Sequence, residues 1–208
     1  VFQEFRDISE LTEDCGRRVI TTGGHFGYLK IAEGCDKHCT YCIIPSLRGK
    51  FRSVPEERLL KQAEYMASQG VKELILVAQE TTVYGTDLYG KKTLHLLLKK
   101  LCQIRGIRWI RVLYCYPEEI YDELIQVMKE EPKICHYLDL PIQHASDKIL
   151  RRMGRRTSKQ QLIDIITKLR CEIPDIVLRT SLITGFPGET EEDHQELMEF
   201  VDEMEFDR

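Results

Sequence analysis

The sequence predicts an α/β fold: a partial, open TIM-type βα barrel built on parallel strands. Three observations predict it. From residue 28 onward short apolar runs recur every ~30–45 residues, each followed by apolar residues at helical spacing, which is the repeating unit of a parallel sheet. One run, Leu74-Ile75-Leu76-Val77-Ala78, is uninterrupted, as in strands covered on both faces. The polar and glycine-rich segments all follow strands, where barrels of this kind gather their chemistry.

Residues 1–26 read as a linker or N-terminal extension, with Phe2, Phe5 and Ile8 at loose helical spacing, an isolated thiol at Cys15, and a turn at Thr21-Thr22-Gly23-Gly24. The folded domain is expected over 27–208. A strand at 28–33 leads into a cysteine-rich loop. Pro55 opens a helix that turns Leu59, Leu60, Ala63, Met66 and Ala67 to one side and ends at Gly70. The run at 74–78 is the second strand, and Leu94, Leu97, Leu98 and Leu101 mark the next helix. Trp109–Tyr114 is the third strand, followed by a helix carrying Ile120, Leu124, Val127 and Met128. Tyr137–Leu140 is a short fourth strand stopped by Pro141, with a helix at Leu162, Ile165, Ile166 and Leu169 behind it. Ile176–Ile183 is the fifth strand, running into Gly185-Phe186-Pro187-Gly188. The last helix carries Leu197, Phe200, Val201 and Met204, with Thr190 and Asp193 spaced as a capping box. The sequence stops at Phe206-Asp207-Arg208, before a sixth strand, and does not begin with methionine; a piece of a longer protein is expected.

Composition bounds the chemistry. Of 208 residues, 42% are hydrophobic and 31% charged, which places the chain among soluble globular proteins. A net charge of −4 gives no general attraction to nucleic acid or anionic membrane. No apolar run reaches the length needed to span a bilayer, and no signal-peptide pattern opens the chain. Eight cysteines are too dilute for a disulfide scaffold, and three of them crowd into one loop. Metal ligation in a reducing cytoplasm is the better reading. Cys102, Cys115, Cys135 and Cys171 lie in or beside apolar segments and read as core or near-core thiols.

That loop, Glu33-Gly34-Cys35-Asp36-Lys37-His38-Cys39-Thr40-Tyr41-Cys42, carries the most specific signal in the sequence. Soft thiolates this close suit an iron–sulfur cluster or zinc. Three cysteines on a four-iron cluster would leave one iron open to a small molecule. The rival is a zinc-binding interaction module with His38 as fourth ligand. It requires the adjacent His38 and Cys39 to bend toward one ion, whereas zinc ligands usually pair two to four residues apart.

The spacing C-x3-C-x-aromatic-C, with Tyr41 in the aromatic slot, resembles the radical S-adenosylmethionine (SAM) domain of the methylthiotransferase family. The resemblance continues through Ile44-Pro45-Ser46-Leu47-Arg48-Gly49, Leu76-Val77-Ala78-Gln79-Glu80-Thr81-Thr82 with Tyr84-Gly85, Leu113-Tyr114-Cys115-Tyr116-Pro117, Pro141-Ile142-Gln143-His144 and Ile183-Thr184-Gly185-Phe186-Pro187-Gly188-Glu189-Thr190. The segments around Gln79 and Tyr116 are similar to the branch that modifies a ribosomal protein rather than the branch that modifies tRNA adenosine, which stands as the alternative.

The resemblance implies that Cys35, Cys39 and Cys42 hold a 4Fe–4S cluster whose open iron takes the amino and carboxylate groups of SAM. It implies that Tyr41 lies near the adenine, that Gln79 and Glu80 meet the SAM amino group, and that Gln143 and Gly185 are further cofactor contacts. Gln79-Glu80 departs from the commoner glycine-glycine-glutamate at that place. The run Arg151-Arg152-Met153-Gly154-Arg155-Arg156 could hold the SAM carboxylate, face an acidic substrate or ribosomal RNA, or be a solvated helix end. The implied reaction adds a methylthio group to the β-carbon of an aspartate in the small-subunit protein of the decoding centre, free or on the assembled ribosome. An electron donor such as flavodoxin or ferredoxin would drive it, and no catalytic acid or base is implied. A second 4Fe–4S cluster on an N-terminal domain and a C-terminal TRAM domain belong to the family pattern and are expected outside these residues. Cluster binding and SAM cleavage, without complete methylthiolation, are the expectation for this stretch alone.

Overall fold

The computed structural model describes residues 19–208. Phe2, Phe5, Ile8 and Cys15 lie outside the described residues. Among the described residues seven strands are formed: β1 (Phe26–Lys30), β2 (Ala32–Glu33), β3 (Arg52–Ser53), β4 (Glu73–Val77), β5 (Trp109–Val112), β6 (Ile134–Asp139) and β7 (Val177–Arg179). Five of them make one sheet in the order β1-β4-β5-β6-β7, every neighbouring pair parallel. Strand order thus follows chain order around an open, partial barrel, as successive βα crossovers of one hand produce.

The helices between the strands are α1 (Ile44–Arg48), α2 (Glu56–Ser68), α3 (Thr86–Tyr89), α4 (Leu94–Cys102), α5 (Asp122–Glu130), α6 (Asp147–Arg152), α7 (Lys159–Glu172) and α8 (Glu191–Met204), with one 3-10 turn at Pro117–Glu119. None of them is long and apolar enough to cross a membrane. Both long C-terminal helices start on a capping box, Ser158 with Gln161 for α7 and Thr190 with Asp193 for α8. The second matches the expectation from sequence.

The core is a layer between the sheet and the long helices. One row of paired residues, Leu29, Leu76, Val112, Leu138 and Leu178, crosses all five strands, each at most 1% exposed. It belongs to the same buried cluster as Leu59, Ala63 and Met66 of α2, Leu97, Leu98 and Leu101 of α4, Leu162, Ile166 and Leu169 of α7, and Phe200 of α8. The opposite face is the inside of the open barrel. Tyr28, Ile75 and Arg111 pair across it and stay half-buried or exposed. So the run 74–78 is not covered on both faces, as its composition suggests; Leu74 and Leu76 are buried while Ile75 and Val77 are only half-buried. Polar ties line this inner face. Arg111 Nε donates to Glu73 Oε1 at 2.7 Å, and Arg179 Nη1 to Asp139 Oδ1 at 2.6 Å.

Several boundaries differ from the sequence reading. The strand expected at 28–33 breaks after Lys30, and Ala32–Glu33 turn aside to pair antiparallel with Arg52–Ser53. The fifth strand is only three residues long, rejoined by a single bridge between Gln143 and Leu182. Residues 207 and 208 run along the outer edge of β7, where the Asp207 N–H donates to Leu178 O (3.0 Å) and the Thr180 N–H to Arg208 O (2.8 Å). This is where the sixth strand is expected. Of the four remaining cysteines, Cys102 and Cys115 are buried and Cys135 is half-buried. Cys171 is exposed, because it sits on α7 away from the buried line Leu162, Ile166, Leu169.

The two faces of β4 give a direct test of this layering. Leu76→Ala removes a fully buried side chain and is expected to cost about 2–5 kcal/mol, whereas Ile75→Ala one position away costs clearly less. Urea unfolding of both variants measures the difference, and equal losses would place the core elsewhere.

Candidate functional site

The cysteine loop lies between β2 and α1, at the carboxyl ends of the sheet strands, and three other segments fix its shape. At its start, Gly34 has φ +80°, and a Cβ there would fall 2.1 Å from Lys50 O, so only glycine fits. The Cys35 N–H then donates to Gly49 O (3.2 Å) and the Phe51 N–H to Asp36 Oδ1 (3.1 Å). From the second βα loop, Gln79 Oε1 accepts the Gly34 N–H at 2.8 Å. At the far end, the Thr40 N–H donates to Met153 O (3.0 Å) and the Thr40 hydroxyl to Arg152 O (2.9 Å). Gly154, at φ +72°, approaches so closely that a Cβ would lie 2.7 Å from His38 O. The basic run 151–156 therefore cradles the cysteine loop through its backbone.

Within the loop Cys35 and Cys39 are buried and Cys42 is exposed. Burial pushes the Cys35 thiol up, with the nearby Glu80 carboxylate adding to it, against the Lys37 N–H, which favours the thiolate. Among the described residues no three His, Cys, Asp or Glu side chains converge on a single-ion position. One zinc ion draws its ligands to within about 2.0–2.3 Å of one point. A cluster binds each thiolate to a separate iron and accepts a wider spread.

Two cavities flank the loop. One, of about 450 Å³, is lined by Cys35, Cys39, Lys37, Glu80, Tyr116 and Arg155 among others. The second, of about 390 Å³, is lined by Cys35, Cys42, Lys30, Gln79, Tyr114 and Tyr116 among others. Cys35 and Tyr116 border both. Both volumes are in the range of small-ligand sites.

Glu80 is a carboxylate buried beside the loop, 1% exposed. Its Oε1 accepts from the Thr82 N–H (3.1 Å) and the Thr82 hydroxyl, while Oε2 has no hydrogen-bond partner among the described residues. Burial pushes its carboxyl up to about 7, against the pull of the Thr82 bonds. An acceptor buried in this way is suited to a cationic donor. Gln79 is already committed through Oε1 to the Gly34 N–H, so it buttresses the loop.

Of the other residues singled out by sequence, Tyr41 belongs to the loop itself, whereas Gln143 and Gly185 stand on the later turns. Tyr41 is 37% exposed and packs edge-on against Phe186 at 6.5 Å between centroids. Burial first, then Cys39, raises its hydroxyl above the ordinary value. Gln143 adopts φ +72°, with its N–H on Ser181 O (3.0 Å) and its C=O accepting the Ile183 N–H (2.8 Å). Gly185 has φ +71°, and a Cβ there would meet nothing within 4 Å, so its left-handed turn rather than crowding calls for glycine. Tyr41, Gln143 and Gly185 line neither of the two cavities.

Sequence reasoning missed the polar cluster beside Cys39. The Tyr116 hydroxyl lies 3.3 Å from Cys39 Sγ. The Arg155 guanidinium sits 4.2 Å from the Tyr116 ring centroid and the Lys37 ammonium 5.1 Å from it. The 3-10 turn ties these cations down. Glu118 faces Arg155 at 3.5 Å, and Glu119 bonds Lys37 as well as Lys92 (2.8 Å). Burial pulls Glu119 up, but the Lys37 and Lys92 bonds outweigh it and hold the carboxyl below its ordinary value. The available signals were a tyrosine and proline directly after a strand, and a basic run whose one inward member the pattern does not reveal. A second tie links the turns at Gln143 and Gly185: buried His144 lies with Nε2 3.5 Å from Glu189 Oε1, while its Nδ1 accepts the Ser146 N–H at 3.0 Å.

Residues 29–201 match the model of the radical SAM superfamily. The chain belongs to that superfamily. It is 68% identical over 206 residues to a ribosomal protein uS12 methylthiotransferase RimO of Lachnoclostridium phytofermentans, covering 99% of this chain and 47% of that protein. A protein of the same name from Clostridium botulinum (strain Eklund 17B / Type B) is 58% identical over 93% of this chain and 43% of its own length. The chain thus spans about half the length of the curated relatives it matches. Among solved structures, the radical SAM methyltransferase TsrM of Kitasatospora setae, with tryptophan and a SAM analogue bound, superposes with a TM-score of 0.70 at 16% identity, over 88% of this chain and 35% of that one. OxsB, a cobalamin-dependent radical SAM enzyme, superposes at 0.65 with 17% identity, over 84% and 26%. At such identities these superfamily members show the shared fold alone.

The buried acid makes stability depend on pH. An unfolded glutamate ionises near 4.5, whereas folded Glu80 keeps its proton up to about 7. The folded state then binds more protons, so without a bound cation this group lowers stability as pH rises from about 4.5 to 7, by about 3 kcal/mol in all. Glu80→Gln is expected to flatten that slope in denaturant titrations across this window; an unchanged slope would contradict the assignment.

Proposed function

We propose that the chain is the radical SAM core of a methylthiotransferase that modifies the β-carbon of an aspartate in ribosomal protein uS12. The observation that carries the cofactor reading is the unpartnered Glu80 Oε2 in the same cavity as Cys35 and Cys39. A lone buried acceptor beside soft thiols fits a ligand that brings an ammonium group to a thiolate-bound cluster. The substrate reading rests on the names of the relatives, which match nearly the whole of this chain.

On this reading Cys35, Cys39 and Cys42 hold a 4Fe–4S cluster through three irons, and Glu80 accepts from the SAM amino group. Gln79 acts one step back, by fixing the backbone at Gly34. Tyr41, Gln143 and Gly185 are proposed to border the remainder of SAM. When bound, the cluster would pass on an electron from an external donor and SAM would supply the methyl and hydrogen-abstracting groups; the protein's part is placement and exclusion. The inner face of the sheet and the loops at its carboxyl end form the walls that keep water and wrong partners out. Free thiols and a low-potential electron donor such as flavodoxin or ferredoxin suit the cytoplasm.

These 208 residues contain one such triplet. A second cluster, if the sulfur is delivered from one, is held outside them, in the auxiliary domain the family pattern carries. The described domain alone is therefore proposed to cleave SAM without completing methylthiolation.

Anaerobic loading with iron and sulfide, followed by reduction with SAM, is expected to give brown protein that forms 5′-deoxyadenosine, and Cys39→Ala to abolish both. Colourless protein with stoichiometric zinc and no SAM cleavage would return the triplet to a structural role. Methylthiolation of tRNA rather than uS12 by a full-length protein would move the substrate to the other branch.

A further inference from the structure

The hydroxyl of Tyr116 and the guanidinium of Arg155 form a polar pair directly behind one cluster cysteine, and nothing in the reading above uses them. We infer that Tyr116 and Arg155 raise the reduction potential of the cluster, by a hydrogen bond to Cys39 Sγ and by a buried positive charge against the same ring. The inference rests on the proposed ligation by Cys35, Cys39 and Cys42.

The geometry has three parts. Tyr116 and Cys39 approach at 3.3 Å, where either group can donate while the cysteine is a thiol. Ligation removes that proton, so only Tyr116 can then donate, and a metal-bound sulfur retains lone pairs to accept. Arg155 is the second part. Its side chain is 1% exposed, its Nη2 reaches Pro141 O (3.3 Å) and Glu118 Oε2 (3.5 Å), and its Nε has no partner among the described residues. It is held 4.2 Å from the Tyr116 ring centroid, with Lys37 at 5.1 Å from that centroid. Cations against a phenol ring draw electron density from it and make its O–H a stronger donor. The third part is the burial of Arg155, since a charge kept from water acts on its neighbours more strongly than one in solvent.

Reduction adds one electron to the cluster and makes it more negative. Hydrogen bonds to the sulfurs and nearby positive charge favour that form and raise the potential. The electron comes from an external one-electron donor, no protein bond forms or breaks, and the proton stays on Tyr116.

The test is a redox titration of the loaded 208-residue chain, followed by electron paramagnetic resonance, without SAM. Tyr116→Phe keeps the ring and removes only the hydroxyl; Arg155→Gln removes the charge. Both are expected to titrate at more negative potential. At the wild-type midpoint the reduced-to-oxidised ratio of Tyr116→Phe should fall about tenfold, which is ~59 mV for one electron. A loaded wild type with unmoved variants overturns this inference alone. Loss of the cluster from Tyr116→Phe, with the wild type loaded, also overturns it, because the bond would then serve ligation. A wild type that takes up no cluster overturns both the inference and the reading beneath it.

Discussion

The rest of the site depends on how the cysteine loop is held from outside. The stretch from Cys35 to Cys42 has no helix or strand of its own; among its backbone groups, the Cys42 N–H bonds within the loop to Cys39 O. Its shape comes from Gly49 and Phe51 on one side, Gln79 beneath, and Arg152 to Gly154 at the end. Each such bond contributes about 0.5–1.5 kcal/mol net, of the same order as the cost of ordering one residue. No single bond fixes the loop; the set does. Two glycines, Gly34 and Gly154, are required because backbone carbonyls approach where a side chain would stand.

Around this loop the charges have opposite requirements. Glu80 is buried with an open oxygen and is stable only when protonated or facing a cation. Arg155 is buried as a cation and is compensated by Glu118, Pro141 O and an aromatic face. One site thus offers a place for a positive group and a fixed positive charge a short distance away. A cluster with a cationic ligand would meet both, whereas a lone structural zinc gives no reason for an open carboxylate.

Much of the architecture was legible in the sequence because it follows from periodicity. The apolar runs placed four of the five sheet strands to within a few residues, and Thr190 with Asp193 marked the start of α8. What failed had local causes. Helices α1, α3 and α6 are too short to show a period, and β5 stops at Val112, short of the expected Tyr114, which stands at positive φ. The inner face of an open barrel also misleads, since Ile75 and Val77 are apolar without being fully buried. At the site, the triplet and Glu80 could be read from spacing and from resemblance. Tyr116 could not be tied to Cys39, because 77 residues separate them and only the fold closes that gap. Arg155 was hidden in a run of arginines, and it alone of the four, with Arg151, Arg152 and Arg156 exposed, is buried.

The central claim is that three cysteines hold a four-iron cluster with one iron left for SAM. Mössbauer spectroscopy of the chain loaded with iron-57, with and without SAM, tests it most directly. One iron in four should change its signal when SAM is added, while the three held by cysteine do not. Four irons indifferent to SAM, or iron that binds without forming a cluster, would contradict the account.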